Sequence, residues 1–100
     1  MIRGTTPINV FRLPFDTSAI KTVRILYGQD NKVVFVKTGE DCTFTGNIVS
    51  ARLTQEDTLK IDYEKVVQIQ IRILTVTGDA LASGIIYRSF GQLLENEVIT

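Results

Sequence analysis

The chain has 100 residues and a mass of 11.2 kDa, with eleven basic residues balancing eleven acidic ones. That length suits one domain with one modest core, and the zero net charge gives no general pull towards nucleic acid or an anionic membrane. There is no His and no Trp, and Cys42 stands alone, so His-based catalytic triads, the common zinc sites and an internal disulfide are all excluded.

The opening Met1-Ile2-Arg3-Gly4-Thr5-Thr6-Pro7 contains no apolar stretch followed by a small-residue cleavage site, and it is read without a secretory signal. No apolar run approaches the ~20 residues of a membrane span. Together with the lone cysteine, these features describe a soluble product of a reducing cytoplasm.

Val, Ile, Thr and the aromatic residues make up 42 of the residues, against only four Ala, which favours pleated strands over helices. In chain order, Ile8 to Leu13 reads as a first strand stopped by Pro14. Thr22 to Tyr27 alternates Val23, Ile25 and Tyr27 against Thr22, Arg24 and Leu26. Gly28-Gln29-Asp30-Asn31 supplies turn chemistry, and Lys32 to Lys37 follows as the hairpin partner. Cys42 to Thr45 and Ile48 to Leu53 flank Gly46-Asn47, where Gly in first place suits a type II′ loop.

Thr54 then offers an N-cap with Glu56 and Asp57 in the next turn, so a single helical turn is expected over Thr54 to Leu59. From Val66 the chain alternates most cleanly, with Val67, Ile69, Ile71 and Ile73 on one face and Gln68, Gln70 and Arg72 on the other. Thr77-Gly78-Asp79 separates that strand from a last one over Leu81 to Phe90. The expected fold is all-β: an antiparallel sandwich of about seven strands, immunoglobulin-like in outline, forming one domain over residues 1–100. Its core should hold Val67, Ile69, Ile71 and Ile73 with Val23, Ile25, Val49, Ala51 and Leu53.

Chemistry-bearing residues are sparse. Asp16, Asp30, Glu40, Asp41, Glu56, Asp57, Asp62 and Glu64 fall mostly in turns, where carboxylates solvate and cap the chain. Cys42 has no His to deprotonate it, and the glycines match no phosphate-binding pattern. The chain is therefore read as a non-enzyme with no cofactor, no metal, no small-molecule ligand and no nucleic-acid partner. Two features fit contact with another protein. Gln68, Gln70 and Arg72 put long hydrogen-bonding side chains on one sheet face, which suits either water or a partner. In the tail 91–100, Leu93, Leu94, Val98 and Ile99 need burial on this domain or on a neighbour.

The opening seven residues, Leu13-Pro14-Phe15-Asp16-Thr17-Ser18, Leu53-Thr54-Gln55-Glu56-Asp57-Thr58-Leu59, Gln68-Ile69-Gln70-Ile71-Arg72 and Ala80-Leu81-Ala82-Ser83 together resemble a group of small proteins from phages and prophages of Gram-positive gut bacteria. The similarity runs over nearly the whole chain and carries no catalytic residues with it. It implies a structural or morphogenesis product of a tailed phage, made in the host cytoplasm and residing in the virion as a head, neck or tail component. Its partners would be other virion proteins or copies of itself. The alternative is a soluble phage-encoded inhibitor that binds a host protein.

Overall fold

The computed structural model describes residues 1–91, 93–94 and 97–99. Among these residues eight strands and one short helix follow in chain order: β1 (Ile8–Arg12), β2 (Ile20–Gln29), β3 (Lys32–Thr38), β4 (Cys42–Thr45), β5 (Ile48–Arg52), α1 (Gln55–Leu59), β6 (Val67–Thr75), β7 (Ala80–Ala82) and β8 (Ile86–Arg88). Single 3-10 turns at Thr17–Ala19 and Gly39–Asp41 link the two sheets of an antiparallel sandwich. The small sheet has the order β1-β5-β4, and the large one β3-β2-β6 with β7 and β8 end to end along the far edge of β6.

Local chemistry sets the two tight hairpins. Asp30 and Asn31 have φ of 54° and 62°, the pair of positive values that a type I′ loop requires, and they join Gln29 directly to Lys32. The turn is thus confined to Asp30-Asn31, and β2 runs on through Gly28 and Gln29. At Gly28 the ladder shifts register, and a Cβ there would stand 2.7 Å from the Lys32 carbonyl oxygen, so only glycine fits. Gly46 has φ of 58° in the two-residue loop between Thr45 and Ile48, as the type II′ reading requires.

The core lies between the sheets, and all nine residues expected there are buried. Phe11, Leu13, Tyr27, Phe35, Ile61 and Phe90 complete it. Tyr27 stacks on Phe35 with ring centroids 4.6 Å apart, and its hydroxyl donates to Asn9 Oδ1 of the opposite sheet at 2.7 Å. Burial, with Cys42 and Asp57 nearby, pushes this phenol above its ordinary range, so it stays a donor.

The last expected strand, Leu81 to Phe90, is two short strands instead of one. Ser83, Gly84 and Ile85 stand opposite only Gln70 and Ile71, so the edge bulges outward. Side chains close the gap: the Ile71 amide donates to Ser83 Oγ at 3.1 Å, and the Gln70 amide donates to the Ser83 carbonyl at 2.8 Å.

α1 forms where expected. The Asp57 amide donates to Thr54 Oγ1 at 3.0 Å, and the Thr54 amide donates to Asp57 Oδ2 at 2.9 Å, a reciprocal capping box. Thr54→Ala should therefore cost about 0.5–2 kcal/mol in denaturant unfolding, with Thr54→Ser nearly silent; equal losses would point to packing of the methyl group. Ile25 is completely buried at the centre of β2, so Ile25→Ala should cost about 2–5 kcal/mol by the same measurement.

Candidate functional site

The outer face of the large sheet is set by the alternation of β2 and β6. Pairing Gly28 with Gln68, Leu26 with Gln70 and Arg24 with Arg72 puts these six residues on the side away from the core. Gln68 and Gln70 are half-buried and engaged within the chain. Gln68 accepts from the Asn31 amide at 2.8 Å and donates to Asn31 Oδ1 at 2.8 Å, clamping the β2–β3 loop. Gln70 holds the bulge of the β7–β8 edge, as described. Their first role is to brace the sheet.

Around them the face is more apolar than the sequence reading expected. Val33, Ile85 and Tyr87 are exposed there, and with Leu26 they surround Gln68 and Gln70; all but Tyr87 line a groove of about 210 Å³. Beyond the groove, Arg72 is exposed and lies directly across from Arg24, also exposed. Among the described residues neither arginine has a carboxylate partner, and like charges facing one another across strands repel. Arg24 is the member of this site that β6 alone does not reveal, since only the β2–β6 register brings it beside Arg72.

The tail residues lie apart from that face. Leu93 is half-buried against Gly4, while Leu94, Val98 and Ile99 are exposed. Gln55 holds the Ile99 backbone through two bonds, of 2.9 and 2.7 Å, and Val98 lies beside Thr6 and Leu53.

A second opening lies at the other side of the sandwich. A cavity of about 480 Å³ separates β1 and the following Leu13-Pro14-Phe15 from Ile71, Ile73, Leu81 and Ile86. It exists because the large sheet is one strand wider than the small one, leaving β7 and β8 uncovered.

The carboxylates behave as the sequence implies, with one exception. Asp57 packs between α1 and β3 in an ion pair with Lys37, both side chains nearly buried. Burial pushes the Asp57 carboxyl up, but the Lys37 ammonium and the Thr54 amide and hydroxyl outweigh it and hold it below the usual range. Cys42 is half-buried with its thiol donating to the Thr38 carbonyl, and burial and Asp41 raise its pKa. The group is thus held as a thiol. Among the described residues no three His, Cys, Asp or Glu side chains cluster as a metal site would require, and no helix is long and apolar enough to cross a membrane.

No protein-family model matches the chain, and neither a characterised protein nor a solved structure shows significant similarity to it.

The Lys37–Asp57 pair gives a pH test. A carboxyl whose pKa is lower folded than unfolded contributes stability above its unfolded value of about 3.9 and loses it as pH falls through the folded value. Melting temperature should fall on acidification through this window. Asp57→Asn should melt lower at neutral pH and show a shallower decline, whereas parallel curves would exclude Asp57 as a contributor.

Proposed function

We propose that the protein is a non-enzymatic assembly component that binds other proteins through the outer face of its large sheet. One observation carries this reading: exposed Val33, Ile85 and Tyr87 share the outer sheet face with an Arg24–Arg72 pair that has no counter-charge among the described residues. Tyr and Arg are enriched in the centres of protein interfaces, where Lys is depleted. A partner carboxylate placed between the two guanidiniums would relieve their repulsion and accept paired hydrogen bonds from them. The side chains of Gln68 and Gln70 are already braced, so the face is preorganised and loses little entropy on binding.

The sequence resemblance to phage and prophage proteins supports the further reading that the assembly is a virion and the protein a head, neck or tail component. The partner would be another virion protein with an acidic, partly apolar surface.

Quantitative mass spectrometry of purified particles tests this reading, with the expectation of a fixed copy number per particle. Arg72→Ala should lower incorporation while changing folding stability by no more than about 0.5 kcal/mol, the usual limit for exposed substitutions. Absence from particles would overturn the virion reading. Normal incorporation of both Arg72→Ala and Tyr87→Ala would overturn the face.

A further inference from the structure

Four strand edges flank the two sheets, and three of them are blunted. β3 carries Lys32 and the register shift opposite Gly28. β4 is four residues long and half threonine. The β7–β8 edge is broken into two three-residue pieces by the bulge. β1 is the least protected: Ile8-Asn9-Val10-Phe11-Arg12 keeps an unbroken register with β5, contains neither Gly nor Pro, and bears its one charge, Arg12, only at its last residue. Sheets that avoid edge-to-edge pairing ordinarily protect such a strand.

The direction of its free hydrogen-bonding groups follows from the ladder. The Leu13 amide donates to the Asn47 carbonyl and the Leu53 amide donates to the Pro7 carbonyl, so odd-numbered residues of this stretch bond to β5. In an antiparallel ladder the alternate residues turn the other way. Ile8, Val10 and Arg12 therefore aim their backbone groups past the edge, and the cavity opens there beside Val10 and Arg12. Its floor is the uncovered inner side of β7 and β8, where Leu81 is 43% exposed despite facing the core.

This geometry selects its occupant. A strand laid beside β1 would sit over β7 and β8 as the missing fourth strand of the small sheet. A second copy could not bring its own β1 edge up to this one, because its wider sheet would meet the overhang in the same layer. A single extended segment fits. The cavity lining is apolar except for Arg12 and Ser83, so the segment should combine bulky apolar residues with a carboxylate.

The C-terminal segment has that composition: Gln92-Leu93-Leu94-Glu95-Asn96-Glu97-Val98-Ile99-Thr100. Leu94 is 98% exposed and Ile99 72%, with Glu97 also exposed. Within it Val98 lies by Thr6 and Leu53, near the start of β1, while the cavity opens at the end of that strand. A head-to-tail contact between copies joins the two places. Resting on the assembly reading above, we propose that the cavity beside β1 receives the 92–100 segment of a second copy, by strand addition.

The test uses three full-length variants, one of the tail and two of the cavity, that each disable one partner surface. Leu94→Asp with Ile99→Asp changes exposed tail side chains only. Leu81→Glu puts a carboxylate into the cavity floor, and Val10→Pro, a second cavity variant, removes an outward amide without touching the β5 ladder. Circular dichroism confirms folding of each. Analytical ultracentrifugation should show the unaltered chain associating as concentration rises. Each variant alone should associate about tenfold more weakly or not at all. An equimolar mixture of tail variant and cavity variant should form a 1:1 dimer that grows no further, since one intact cavity then meets one intact tail. Gln55→Ala, which releases Ile99 from its two bonds, should strengthen self-association. A mixture that stays monomeric, or variants that associate as well as the unaltered chain, would overturn the inference. Either result alongside normal incorporation into particles would leave the assembly reading standing, whereas absence from particles bears on that reading alone.

Discussion

The antiparallel pairing of β2 with β6 organises the molecule, because its eight register pairs fix both faces of the large sheet at once. On the inner side it aligns Val23, Ile25 and Tyr27 with Ile73, Ile71 and Ile69, which form the centre of the core. On the outer side the same register sets Arg24 against Arg72 and Leu26 against Gln70. β3 attaches to the free side of β2, and β7 and β8 attach to the free side of β6. Since side chains alternate with a period of two, a slip of one residue would exchange core for surface throughout. The candidate interface is thus positioned by the residues that build the interior.

Much of this was readable because β6 alternates without interruption, and a clean period of two assigns each residue to a face. Val67 through Ile73 revealed their burial directly. Alternation does not say what lies across a face, however. Gln68 and Gln70 look free in the sequence, yet Gln68 engages Asn31, 37 residues away, and Gln70 engages Ser83. Lys37 was opaque for a related reason. Val33-Val34-Phe35-Val36 is apolar throughout, so periodicity cannot orient it, and the register shift at Gly28 places Lys37 on the core side with Phe35. The break in the final strand has only Ser83-Gly84 to announce it. The extra residue becomes visible once β6 is in place to count against.

The sandwich is sealed on one side and open on the other. At the β3–β4 side, Lys37 reaches Asp57, and Asp57 in turn caps α1 through Thr54. Thr58 donates to the Thr5 carbonyl, and Gln29 bonds the backbone of Asp62 and Lys65. Each of these buried polar groups costs desolvation and is held by a partner, which ties the corner into one conformation. On the opposite side Met1 and Arg3 bond Ser89 and Gly91 just past β8, and Asn9 of β1 donates to Met1 Sδ, but further along β1 apolar side chains line the gap to β7 and β8. The small sheet ends one strand short there, and the inner residues of the overhang remain partly wet.

Two surfaces therefore remain available, and they ask different things of a partner. The outer face has its central backbone groups already paired within the sheet, so it can recognise only through side chains, chiefly the two arginines and Tyr87. Recognition of that kind depends on a matching pattern of charge and shape in another protein. The β1 edge instead offers unpaired amides and carbonyls, which any extended chain can meet, and leaves selection to the apolar cavity and Arg12. An edge of that sort is a liability in a free monomer, since it invites indiscriminate pairing. The overhang of β7 and β8 limits the hazard by excluding another sheet while admitting a lone strand. The unequal width of the two sheets thus leaves the β1 edge open to a lone strand, such as the proposed tail of a second copy, while holding off the sheets of folded copies.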